Sequence, residues 1–134
     1  MVPGEIVYEK VSVTCRKQFP IDIQLHNCLD SMENQTTAGM CKCNNDALDR
    51  WDKFLNDTYK KLSTQLNAQQ KKQLVEAEKA WINFKEKEIA LINSIYAEAD
   101  GSMWIPIRIN NMMEITRQRA IAVDHLSENI NEFK

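Results

Sequence analysis

Residues 37–66 read TAGMCKCNNDALDRWDKFLNDTYKKLSTQL. Within them Met40, Cys43, Ala47, Trp51, Phe54, Leu55, Tyr59, Leu62 and Leu66 recur every three or four positions. A helix of 3.6 residues per turn gathers such positions onto one face, so the spacing predicts a long amphipathic helix. Thr36 and Thr37 stand at its start, where a hydroxyl can accept from an otherwise unpaired backbone N–H. At 1.5 Å per residue the stretch is roughly 45 Å long, more than an average globular helix.

The same period resumes over residues 68–98, through Leu74, Ala77, Trp81, Phe84, Leu91 and Ile95, with Asn67 placed to cap it. Its outer face carries Lys72 and Glu76 at i,i+4, then alternating Lys and Glu from Lys79 to Glu88. That pattern marks a solvated face, so Glu76, Glu78, Glu86 and Glu88 are read as surface ion pairs rather than as a catalytic carboxylate pair. Asp100-Gly101-Ser102 breaks the helix. Pro106 suits the first turn of a third helix, whose stripe of Ile109, Met112, Met113, Thr116, Ala120, Val123 and Leu126 fades by Glu128. Three long helices with short connections predict an all-α chain, an antiparallel bundle of three main helices. Residues 1–27 are expected to be an irregular N-terminal arm, since Pro3, Gly4 and Pro20 interrupt them and Val7 to Val13 alternates only weakly. Residues 28–134 then form the helical domain, and the whole chain is one globular unit.

Composition agrees. The 134 residues fit one domain, 43% of them are hydrophobic, and three Gly with three Pro are too few for a turn-rich β fold. Seventeen basic and nineteen acidic residues are interspersed, for a net charge of −2. No basic stripe exists to track phosphates, which excludes a nucleic-acid partner. No apolar run approaches the ~20 residues of a transmembrane helix.

Met1 to Lys10, MVPGEIVYEK, has neither the basic start nor the apolar core of a signal peptide. The four cysteines, Cys15, Cys28, Cys41 and Cys43, nevertheless suit an oxidising compartment, which points to a mature chain whose leader was removed. Cys-x-Cys with two scattered partners matches zinc spacing poorly, so disulfides are expected and no metal. On a helix Cys41 and Cys43 point to nearly opposite sides and do not bond each other. Cys15 and Cys28 are left as their partners, in two possible arrangements.

No catalytic constellation appears. His26 and His125 are isolated, three glycines build no phosphate loop, and no nucleophile has a base beside it. Only Cys43 could act as a reactive thiol, and a disulfide would remove it. The chain is read as a non-enzyme without cofactor. Trp51 and Trp81 lie on apolar stripes and are expected in the core. Trp104 belongs to GSMWIPI (101–107), where it is either an exposed binding anchor or a plug for the end of the bundle.

Cys28, followed by Thr36, Met40 and Cys43, is similar to a Cys…Thr-x-x-x-Met-x-x-Cys pattern. Asp52, Leu55-Asn56 and Tyr59 match Asp-x-x-Leu-Asn-x-x-Tyr. Residues 77–86, AEKAWINFKE, are similar to Ala-Gln-x-Ala-Trp-x-x-Phe-Arg-Asp, and Thr116 with Arg119 supplies a Thr-x-x-Arg in the last helix. Over residues 28–126, about three quarters of the chain, these ordered elements resemble the LprI-type lysozyme inhibitor N-terminal domain family. The resemblance implies a Cys28–Cys43 disulfide, with Cys15 and Cys41 left to pair as a local replacement for a second bond. Ile89 stands where many members have a cysteine of that second pair. Lys85-Glu86 replaces Arg-Asp, which keeps the charges and loses the planar fork of the guanidinium.

The signature residues Asp52, Asn56, Tyr59, Trp81, Lys85, Thr116 and Arg119 are expected to form a polar and aromatic cluster between helices, with packing and hydrogen bonding as its first role and a ligand site as the alternative. The resemblance further implies a secreted or periplasmic binding protein, lipid-anchored in some members, that inhibits a lysozyme or another peptidoglycan hydrolase. An inhibitor of a basic muramidase needs a protruding element with acidic groups near it. Glu98, Asp100, Met103 and Trp104, at the turn between the second and third helices, are the candidate partner-binding residues. The alternatives are an immunity protein against a cognate type VI secretion toxin, and an envelope structural or stress module without a hydrolase target.

Overall fold

The computed structural model describes residues 18–134. Among the described residues four α-helices follow one another, α1 (Pro20–Asp30), α2 (Thr37–Thr64), α3 (Ala68–Tyr96) and α4 (Trp104–Phe133), with a 3-10 turn (Met32–Asn34) between the first two. No strand occurs among the described residues.

Residues 20–27, expected to be irregular, form most of α1. Pro20 opens that helix instead of interrupting it: at the first helical position its missing N–H has no intrahelical acceptor to lose. Cys15 and the stretch Val7 to Val13 lie outside the described residues. The caps read from the sequence are present. Thr36 accepts from the Gly39 N–H at 3.0 Å, and Asn67 with Gln70 forms a reciprocal capping box at the start of α3. Gly101, at φ 103°, makes the turn between α3 and α4 in a region open to glycine. Helix α4 begins at Trp104, so Trp104 is its first residue rather than part of a loop, and Pro106 falls in the first turn as expected.

The core lies between α2 and α4. Ala47, Trp51, Leu55 and Leu62 of α2 meet Met113, Ala120 and Val123 of α4, and Phe19, just before α1, enters the same cluster. Polar bonds along this seam fix its direction. Asn110 donates to Asn44 at 2.8 Å, and 66 residues separate them. At the other end the Gln65 amide donates to the Ser127 carbonyl at 3.2 Å, and the Ser127 hydroxyl returns a bond to Gln65 at 2.7 Å. Helices α2 and α4 therefore run parallel. Helix α3 runs back beside α4, joined where Arg108 donates to Asn93 and Asn111 to Tyr96.

Helix α3 contributes no fully buried residue. Leu74 and Trp81 only lean on the core, while Phe84, Leu91 and Ile95 are 51%, 53% and 56% exposed. The expected bundle of three main helices is therefore uneven, with a tight α1, α2 and α4 body and α3 packed along its side. Trp81, expected in the core, is half-buried. Periodicity identifies the apolar face of a helix but does not say whether another element covers it.

Three ties hold α1 to this body. Phe19 packs on Trp51 with ring centroids 5.4 Å apart. Cys28 and Cys43 are bonded, in the pairing the resemblance implies. Arg117 of α4 grips Asp22 of α1.

Candidate functional site

Two regions gather the residues singled out in the sequence. The first is the α3–α4 turn, where the end of a 29-residue helix meets the start of a 30-residue one. Glu98, Asp100 and Met103 are exposed there. Trp104 rests against Tyr96, ring centroids 6.2 Å apart, and is still 37% exposed. It thus shares features of both readings, braced from one side and open on the other. Ile105 and Ile107 are exposed beside it, which extends the apolar surface beyond the four candidate partner-binding residues. Both belong to GSMWIPI, and the signal was in that run of apolar residues.

The second region is the signature cluster. The Tyr59 hydroxyl, on a buried side chain of α2, accepts from Arg119 Nε at 2.9 Å, and the guanidinium carbon lies 5.7 Å from the same ring. Thr116, one turn before Arg119, is buried. Trp81 of α3 carries the Lys85 ammonium 5.2 Å from its ring centre, a cation–π contact along one helix. Tyr59 and Arg119 therefore meet between helices, with Trp81 across a groove from Arg119. Asp52 and Asn56 do not join them. Both are exposed, and Asn56 lines, together with Tyr59, a second groove of about 390 Å³ between α2 and α3.

The groove between α3 and α4 has a volume of about 520 Å³ and is lined by Trp81, Phe84, Glu88, Asn111, Gln118 and Arg119, among others. In the sequence Glu88 reads as part of the solvated face, and Gln118 does not stand out. The three-four spacing of Trp81, Phe84 and Glu88 was the available signal, since it puts the carboxylate on the aromatic flank.

Beside the groove, Arg117 donates to Glu114 at 2.9 Å and to both oxygens of Asp22 at 2.9 Å. The bond to Asp22 is the main cause that raises the guanidinium above its ordinary value, and burial opposes it. Cys41 is half-buried and has no disulfide partner among the described residues. No described helix is long and apolar enough to cross a membrane.

The crystal structure of an uncharacterized protein from Burkholderia thailandensis is similar in fold, with a TM-score of 0.80 and 22% identity. The match covers 87% of this chain and 57% of that one, so the chain spans little more than half the length of its structural relative. No curated protein matches the chain. The family model for the lysozyme inhibitor LprI matches residues 28–122, which include the disulfide, the Tyr59–Arg119 contact and the whole of α3. This chain belongs to the LprI lysozyme inhibitor family.

Proposed function

We propose that the protein inhibits a lysozyme-type peptidoglycan hydrolase by presenting its α3–α4 turn to the enzyme's cleft. The observation that carries this reading is the exposed end of the helical body, where Met103, Trp104, Ile105 and Ile107 offer apolar surface next to the carboxylates of Glu98 and Asp100. Long helices on either side brace the turn, and Tyr96 holds Trp104 from behind, which reduces the ordering cost of binding. A partly exposed tryptophan on a rigid support is a common energetic anchor. The two carboxylates suit a basic target and would speed the encounter. The Cys28–Cys43 bond supports a secreted or periplasmic setting, because such bonds persist outside reducing compartments.

The test is clearance of a cell-wall suspension by several muramidase types, with the oxidised protein titrated in. Stoichiometric inhibition of at least one enzyme is expected, and the double substitution Asp100→Ala with Trp104→Ala should abolish it. Inhibition that survives this double substitution would move the binding surface elsewhere. Inhibition confined to one toxin encoded beside this chain would identify an immunity protein.

A further inference from the structure

The groove between α3 and α4 contains two half-buried groups of opposite charge whose free ends meet no partner among the described residues. Glu88 makes no hydrogen bond or ion pair among the described residues. Arg119 gives its Nε to Tyr59 and leaves its two terminal nitrogens without an acceptor among the described residues. Glu114, a second carboxylate lining the groove, is held by Arg117, which it shares with Asp22, so the charged groups of the groove with unused hydrogen-bonding ends are Glu88 and Arg119. Trp81 and Phe84 add aromatic wall, and Asn111 and Gln118 add amides. Asn111 donates to Tyr96 and keeps its carbonyl oxygen as an acceptor.

We propose that this groove binds a neutral, hydroxyl-rich ligand, a segment of an oligosaccharide. An apolar occupant would strip water from Glu88 and Arg119 without replacing it, which is costly. An anion would face Glu88, and a cation would face Arg119. A hydroxyl both donates and accepts, so one ligand of no net charge satisfies the carboxylate, the guanidinium and the amides together. The C–H faces of sugar rings pack on aromatic side chains, and the volume falls in the range of small-ligand sites, roughly 300–1,000 Å³. A peptide without charged side chains supplies both charges only at its two ends, whereas hydroxyls lie along every sugar ring. Binding in this groove is independent of hydrolase inhibition through the α3–α4 turn.

Titration followed by NMR tests it, with triacetylchitotriose, cellotriose and trialanine as probes at millimolar concentration. At least one trisaccharide should shift the Trp81 indole N–H and the Asn111 and Gln118 side-chain amides saturably. Glu88→Ala and Gln118→Ala should each weaken that binding about tenfold, the loss of one charged or polar contact to the ligand. Val75→Ala, on the other flank of α3, should leave it unchanged. An unshifted Trp51 indole resonance reports that each variant keeps its core. The proposal is overturned if neither trisaccharide shifts these resonances, if both groove variants bind as the parent does, or if trialanine alone binds.

Discussion

Arg117 of α4 and Asp22 of α1 form a two-pronged ion pair, with Nε and Nη2 each donating at 2.9 Å to a separate carboxylate oxygen across 95 residues of sequence. The guanidinium also lies 5.7 Å from the ring centre of Trp51, so one side chain connects α1, the aromatic core and α4. Asp22→Ala removes the fork and leaves Arg117 with Glu114 alone. Charge-assisted bidentate bonds are stronger than neutral ones, but side chains 23% and 35% exposed are partly screened by solvent. The expected loss is about 1 kcal/mol. It should appear in urea as a lower midpoint with an unchanged slope. Asp22→Asn, which keeps one acceptor oxygen, should lose less.

The Cys28–Cys43 bond closes a sequence separation of 15 and ties α1 to the first turns of α2. Replacing both cysteines by serine should cost about 3 kcal/mol on the chain-entropy account. The four-cysteine chain, denatured without reductant, should show no free thiol, the outcome that pairing of Cys15 with Cys41 requires. Two titrating thiols would leave that pair reduced.

Gly39 lies against the 3-10 turn so closely that a Cβ there would sit 2.5 Å from the Asn34 Cα and 2.7 Å from its carbonyl oxygen. Backbone cannot swing aside as a flexible side chain can. The Asn34 amide also donates to the Cys28 carbonyl at 3.1 Å, so any shift of the turn disturbs the disulfide's surroundings. Gly39→Ala should therefore destabilise the chain by about 1–3 kcal/mol although alanine favours helix, the usual cost of overpacking. Thermal unfolding compared with Ala38→Gly, an exposed neighbour, separates the clash from helix propensity.

Much of this fold was legible because helix signals are local. The apolar stripe of residues 37–66, the Thr36 and Asn67 caps and the break at Gly101 each depend on neighbours within one turn of helix. Helix α1 was harder to see, since Pro20 reads as an interruption until its place at the first position is known. The core role of Phe19 depends on Trp51, and the bond from Arg119 to Tyr59 spans 60 residues. In the candidate sites, the acidic and aromatic residues of the turn stood out by type. The groove did not, because it exists only where α3 meets α4, and the pattern of α3 is the same whether its flank is covered or open.

The open flank of α3 has a dynamic consequence. Helices α2 and α4 share the fully buried side chains, whereas α3 holds on through Leu74, Trp81 and the bonds near Tyr96. Its amides in the middle should exchange hydrogen through local opening, at a free energy below that of global unfolding, with α2 and α4 protected longest. Phe84→Ser and Leu91→Ser should change stability by no more than about 0.5 kcal/mol, as surface positions do. Leu55→Ala, in the core, should cost about 2–5 kcal/mol. Native-state exchange resolved along the chain, with denaturant melts of the three variants, checks both statements.

The turn's two kinds of residue should separate in binding kinetics with a basic muramidase. Glu98 and Asp100 are exposed carboxylates at the end of the molecule, and their field acts before contact. Glu98→Lys with Asp100→Lys should slow association, and the deficit should shrink as salt shortens the Debye length from about 10 Å at 0.1 M to about 3 Å at 1 M. Trp104 acts only after contact, through the area it buries. Trp104→Ala should leave association nearly unchanged and speed dissociation by about tenfold or more, the cost of losing an anchor worth at least 1.4 kcal/mol. Surface-immobilised kinetics at two ionic strengths distinguish the cases. If the lysine pair changed only dissociation, the carboxylates would be direct contacts rather than steering charges, and the approach of the enzyme would have to be governed by another face.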